Sequence, residues 1–199
     1  PIVAAPAYIG AVIFFLFVLA LFAEKRSFKY IFVTGTVISI LLSWGKNFPL
    51  TDFMIDYFPM YNKFRAITSI QVLAELCIPA FAFIGLTSFF KLPKEEQFVA
   101  LKKSGIVVGA LVVFLFVCEV FVDFQGANDA YMMQQYGEIG PKFIEALIAD
   151  RQALYTNDLL RTALFVILSA LVLYFYTKDK VTEKITLLVL GGLLVVDLV

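Results

Sequence analysis

The chain has 199 residues, 61% of them hydrophobic and 16% charged, with a mean hydropathy of +0.90. Ordinary soluble domains are about half apolar and a quarter charged, so this composition excludes a water-soluble globular domain and places the surplus apolar surface against lipid. Sixteen basic and sixteen acidic side chains cancel, which leaves no global field for nucleic acid, and the lack of His removes the commonest transition-metal ligand and general base.

The apolar residues come in uninterrupted blocks instead of amphipathic stripes. A helix needs roughly 20 apolar residues to cross the hydrocarbon core. On that rule the sequence predicts six spans, near 7–23, 30–44, 66–90, 104–122, 159–177 and 185–199. The fold class is therefore all-α, a polytopic transmembrane helix bundle forming one domain, with short interfacial helices in its two longer connections, 45–65 and 123–158. Pro1 opens the chain without an initiator Met, no charged stretch precedes the first apolar block, and Val199 falls inside an apolar run; this reads as an internal piece of a longer polypeptide, not a secretory signal. Cys77 and Cys118 both lie in apolar blocks and are expected to stay reduced.

Orientation follows from the basic residues. The short connections carry Lys25, Arg26, Lys29, Lys91, Lys94, Lys102, Lys103, Lys178, Lys180 and Lys184, against six basic residues in the longer connections and their flanks. Positive connections stay in the cytoplasm, so 45–65 and 123–158 are expected outside.

In the second span, Thr36, Ser39 and Ser43 share one face, and Gly105 and Gly109 open the fourth; small and hydroxyl residues at such spacing predict close helix approach. Between the second and third spans, Leu50, Phe53, Met54, Tyr57 and Phe58 repeat at helical spacing opposite Asp52 and Asp56, which predicts a short interfacial helix capped at Thr51 and closed before Pro59. Lys46, Lys63 and Arg65 flank it. Cations there run against the insertion bias, and either snorkel to headgroups or bind a phosphate. Asp52 and Asp56 are the candidates for acid/base chemistry or for a divalent cation held by carboxylates; no other cofactor is evident.

Glu75 lies inside the third span, where a charged acid costs about 2.5 to 3.5 kcal/mol or more, and with Thr68 and Gln71 it forms a polar stripe. It serves either to join helices by hydrogen bonds or as an ion or proton path, as in a transporter or lipid flippase. Glu119 and Asp123 are expected at the outer end of the fourth span, solvated or paired with an external Arg. The second outer connection is predicted helical from Pro141. Asp150, Arg151, Asp158 and Arg161 are expected to form structural ion pairs that hold this helix on the fifth span, whose N-cap is Thr156 or Asn157.

Three runs in the first outer connection, Trp44-Gly-Lys-Asn-Phe48, Asp56-Tyr-Phe-Pro59 and Tyr61-Asn-Lys-Phe-Arg65, resemble bacterial YfhO-type membrane proteins. Ala149-Asp-Arg151, Asp158-Leu-Leu-Arg161 and Pro6-Ala-Tyr-Ile-Gly10 share the resemblance. The likeness implies a longer parent in the bacterial cell membrane, related to glycosyltransferases that use polyprenyl-phosphate sugars at the outer face. It further implies a membrane lipid environment, a polyprenyl-phosphate-sugar donor and an envelope glycan acceptor as partners, with Lys46, Lys63 and Arg65 near the carrier phosphate. Enzymes of that kind keep their catalytic acid in the first external loop of the parent, so that acid is expected outside this piece. A non-catalytic scaffold is the remaining reading of the same composition.

Overall fold

The computed structural model describes residues 8–43, 57, 70–126 and 128–199. They form α1 (Ala11–Ala23), α2 (Lys29–Ser43), α3 (Gln71–Lys91), α4 (Lys94–Glu119), α5 (Asp129–Gln135), a 3-10 turn (Gly137–Ile139), α6 (Gly140–Thr177) and α7 (Glu183–Leu198). Among the described residues there is no strand. Three helices, α3, α4 and α6, are long and apolar enough to cross a bilayer and mark the chain as a membrane protein. The others are shorter: α1, α2 and α7 have 13, 15 and 16 residues. At 1.5 Å per residue these reach about 20 to 24 Å, against a hydrocarbon core of about 30 Å.

Helix α1 is the hub of the bundle. It is apolar all round, and a helix of that kind is stable only when surrounded. Here α3, α4, α6 and α7 all touch it, and Val12, Phe15, Leu16, Leu19 and Ala20 are fully buried. The α1–α3 seam is closest at Gly85, where an added Cβ would come within 2.0 Å of the Ala20 Cβ. Phe81 fills the neighbouring layer, edge-on to Phe17 and stacked on Phe32 with centroids 5.6 Å apart in both cases.

The hydroxyl face of α2 docks on the start of α3 as its spacing implies. Ser39 is buried; its Oγ donates to the Ile70 carbonyl at 2.6 Å and accepts from the Ala74 N–H at 3.3 Å. Gly105 and Gly109 differ from expectation. Nothing lies within 4 Å of a Cβ built on either, so this face of α4 receives no helix among the described residues. Both cysteines are free.

Two boundaries are corrected. The basic stretch 91–103 is mostly helix: α4 starts at Lys94, and only Leu92 and Pro93 separate it from α3. Glu95 and Glu96 in its first turn suit the positive end of the helix dipole, and the Gln97 amide donates to the Phe90 and Leu92 carbonyls that end α3. The other correction concerns α6, which begins at Gly140 with Pro141 in its first turn, as predicted, but does not restart at Thr156 or Asn157. The Thr156 hydroxyl bonds back to the Gln152 carbonyl and across to Glu119, so it caps nothing, and no Gly or Pro interrupts 142–177. The resulting 38-residue helix spans about 57 Å, nearly twice the hydrocarbon core, so its polar first half stands beyond it.

The three lysine-rich connections meet at one end of the bundle. Lys25 pairs with Glu96, Lys94 pairs with Asp179 at 2.8 Å, and the Lys178 ammonium lies 5.5 Å from the Phe98 ring centre. Five acids, Glu24, Glu95, Glu96, Asp179 and Glu183, share that end with the ten bases. The end carries five net positive charges in a chain that is neutral overall, so the rest of the chain carries the opposite charge.

Candidate functional site

Polar groups buried or recessed in a membrane bundle are costly, and one cluster of them lies at the end opposite the lysines. The centre of this cluster is Asp197 near the end of α7. It is 1% exposed; its Oδ1 accepts the Tyr8 hydroxyl at 2.8 Å and its Oδ2 accepts the Val12 N–H at 3.0 Å. Gly10 is the N-cap of α1 and has no side chain to cap with, so Asp197 satisfies an orphan N–H of α1 from another helix. Glycine is required there: φ is +90°, and a Cβ would lie 2.8 Å from Asp197 Oδ2.

Arg161 on α6 closes this arrangement by donating from Nη2 to the Asp197 and Val196 carbonyls at 2.7 and 3.3 Å. Cations suit the carbonyl end of a helix. Tyr8, Asp158, Arg161, Thr162 and Asp197 line a cavity of about 320 Å³. Tyr8 also borders a second cavity, of about 310 Å³, with Ile13, Glu75, Pro79, Phe83 and Leu194. Glu75 is exposed in that groove and lies four residues, about 6 Å, from the start of the described α3. Gln71, the first residue of α3, is half-buried, and Thr68 lies outside the described residues.

The expected ion pairs among Asp150, Arg151, Asp158 and Arg161 are replaced by other partners. Arg151 grips Asp129, with Nη1 to Oδ2 at 2.6 Å and Nη2 to Oδ1 at 2.9 Å, and its Nη1 also donates to the Phe124 carbonyl at 3.0 Å. The Gly126 N–H donates to the same Asp129 at 2.7 Å. The reason is geometric: α5 folds back on α6 and brings a buried carboxylate to the fork of Arg151. Asp150 is exposed and Asp158 lines the first cavity, neither with a basic partner among the described residues. Glu119 accepts the Thr156 hydroxyl at 2.6 Å, and Asp123 accepts the Gln125 N–H, so neither pairs with Arg.

Lys46, Lys63, Arg65, Asp52 and Asp56 lie outside the described residues. Among the described residues no group of three Cys, Asp or Glu is arranged to hold a metal ion. Asp197, Tyr8, Asp129 and Glu24 were not singled out by spacing. Glu24 is a 2%-exposed acid at the exit of α1, gripped by Arg26 Nε and Nη2 at 2.9 and 2.7 Å and by the Ser88 hydroxyl at 2.6 Å. A buried carboxylate needs such partners, and an Arg two residues on was the available signal.

The Arg26 hydrogen bonds hold Glu24 down at about 2, and those of Arg151 hold Asp129 at about 2, from ordinary values of 4.5 and 3.8. Both folded values lie below the unfolded ones, so the stabilisation is fully present above about pH 4.5 and is lost as pH falls from there through about 2. Thermal unfolding in detergent is expected to be flat with pH above that window and to fall inside it. Replacing Arg26 and Arg151 by Gln together is expected to lower the midpoint at neutral pH and to flatten the acid slope. An unchanged slope would mean that other carboxylates set it.

No family model, curated protein or solved structure matches the chain.

Proposed function

We propose that the chain is a part, with about six spans, of a longer protein of the bacterial cell membrane, of YfhO type, that transfers a sugar from a polyprenyl-phosphate carrier to an envelope glycopolymer or glycolipid at the outer face. One observation supports this reading above the others: the recess at Tyr8, Asp158, Arg161 and Asp197 opens at the end of the bundle where α2 ends and α3 begins. The connection bearing Lys46, Lys63 and Arg65 departs from and returns to that same end, opposite the lysine-rich one.

Sugar transfer breaks the bond between the anomeric carbon and the carrier phosphate as an acceptor hydroxyl attacks, and the departing phosphate gains charge. Lys46, Lys63 and Arg65 are assigned to neutralise it, Arg65 with two parallel donors. The hydroxyl proton needs a base, for which Asp52 and Asp56 are the candidates within this chain. The test is transfer of radiolabelled sugar into envelope material by membranes carrying the full-length protein at matched expression. Lys63→Ala with Arg65→Ala is expected to lower transfer by about a hundredfold, the scale of losing charge stabilisation at a leaving group. Unchanged transfer would remove the phosphate role.

A further inference from the structure

At the lysine-rich end, two adjoining cavities of about 390 and 270 Å³ share Lys25 and Leu92 on their walls. The first also has Phe22, Glu95, Val99 and Lys103, and the second has Arg26 and Lys91. The charges there are not all satisfied internally. Lys25 is taken by Glu96, and Arg26 by Glu24. Lys91 and Lys103 have no acidic partner among the described residues, against one unpaired rim acid, Glu95.

Apolar side chains adjoin these cations. Phe22 and Val99 are 37% and 49% exposed on the recess wall. A site with unpaired ammonium groups and an apolar flank at a helix corner fits a ligand with a phosphate head and a hydrocarbon tail. We infer that these adjoining cavities bind an anionic phospholipid, its phosphate drawn by Lys103 on the wall of the first and Lys91 on the wall of the second, with the acyl chains along Phe22 and Val99. Free phosphate shares the head chemistry but gains nothing from the apolar wall. Diffuse attraction of the whole basic end to an anionic surface would not depend on which lysines are present.

The test uses the purified chain in phosphatidylcholine nanodiscs with and without phosphatidylglycerol, reading retained lipid by native mass spectrometry and stability by thermal unfolding. Lys91→Gln with Lys103→Gln is expected to weaken phosphatidylglycerol retention about tenfold, and Lys91→Arg with Lys103→Arg to preserve it. Lys180→Gln with Lys184→Gln removes the same charge from the same end and is expected to change retention less than twofold. Equal losses in the two Gln pairs would overturn the site in favour of diffuse attraction. No preference for phosphatidylglycerol over phosphatidylcholine would overturn it outright. Stabilisation by inorganic phosphate equal to that by the lipid would overturn the lipid assignment.

Discussion

Replacing Gly85 by leucine is expected to leave little folded bundle. A Cβ at this position would meet the Ala20 Cβ at 2.0 Å and its Cα at 2.4 Å, whereas carbon atoms rest about 3.5 to 4.0 Å apart. The obstacle is backbone, so no rotamer change relieves it, and α1 must move away from α3. That movement opens the layer of Phe15, Leu16, Ala20, Phe81 and Ala82, all nearly inaccessible. Overpacking typically costs about 1 to 3 kcal/mol, and more when a hub helix must shift, against a total stability of about 5 to 15 kcal/mol. In detergent, size-exclusion chromatography should show loss of the monodisperse species and thermal unfolding a midpoint far below wild type. Gly109→Leu is the matched control: nothing lies within 4 Å of that Cβ, and the midpoint is expected to stay near wild type. Equal effects of the two changes would mean that α1 is not seated on α3 through Gly85.

Asp197→Ala is expected to cause the second-largest loss. It strands the buried Val12 N–H and removes the acceptor of the more exposed Tyr8 hydroxyl, both of which now donate to the carboxylate. An unsatisfied buried donor costs about 1 to 3 kcal/mol, and loss of a helix cap about 1 kcal/mol. Tyr8→Phe removes one of the two hydrogen bonds and leaves the cap, so its midpoint should fall between those of wild type and Asp197→Ala. If Tyr8→Phe were the more damaging change, the hydroxyl would have a partner more important than Asp197.

The sequence was informative where chemistry differs from lipid, and silent where it does not. Apolar blocks gave the helical class, and the basic residues gave the grouping of the three connections at one end, which Lys25–Glu96 and Lys94–Asp179 make visible. Hydropathy could not tell that α1 is central and α4 peripheral. A helix surrounded by protein and one surrounded by lipid are equally apolar, so burial leaves no mark on composition. The face of Ser39 was legible because a hydroxyl in such surroundings must find a partner, whereas Gly105 and Gly109 carry no such demand.

Pairing by sequence proximity failed for Arg151 because Asp129, 22 residues away, reaches it only after α5 folds back on α6. Asp197 escaped notice for a related reason: its partners, Tyr8 and Val12, lie at the opposite end of the chain. Thr156 and Asn157 carried a real capping signal, overridden when the Thr156 hydroxyl found Glu119 on α4.

The most direct test of the whole picture is sidedness in the membrane. With Cys77 and Cys118 first replaced by alanine, Ser27→Cys and Asn128→Cys place single thiols on exposed residues at opposite ends of the bundle. A membrane-impermeant maleimide added to intact cells is expected to label the thiol at position 128 and to reach position 27 only after permeabilisation. Labelling at 27 alone would invert the orientation, and equal labelling of both in intact cells would contradict a bundle whose two ends are separated by a bilayer.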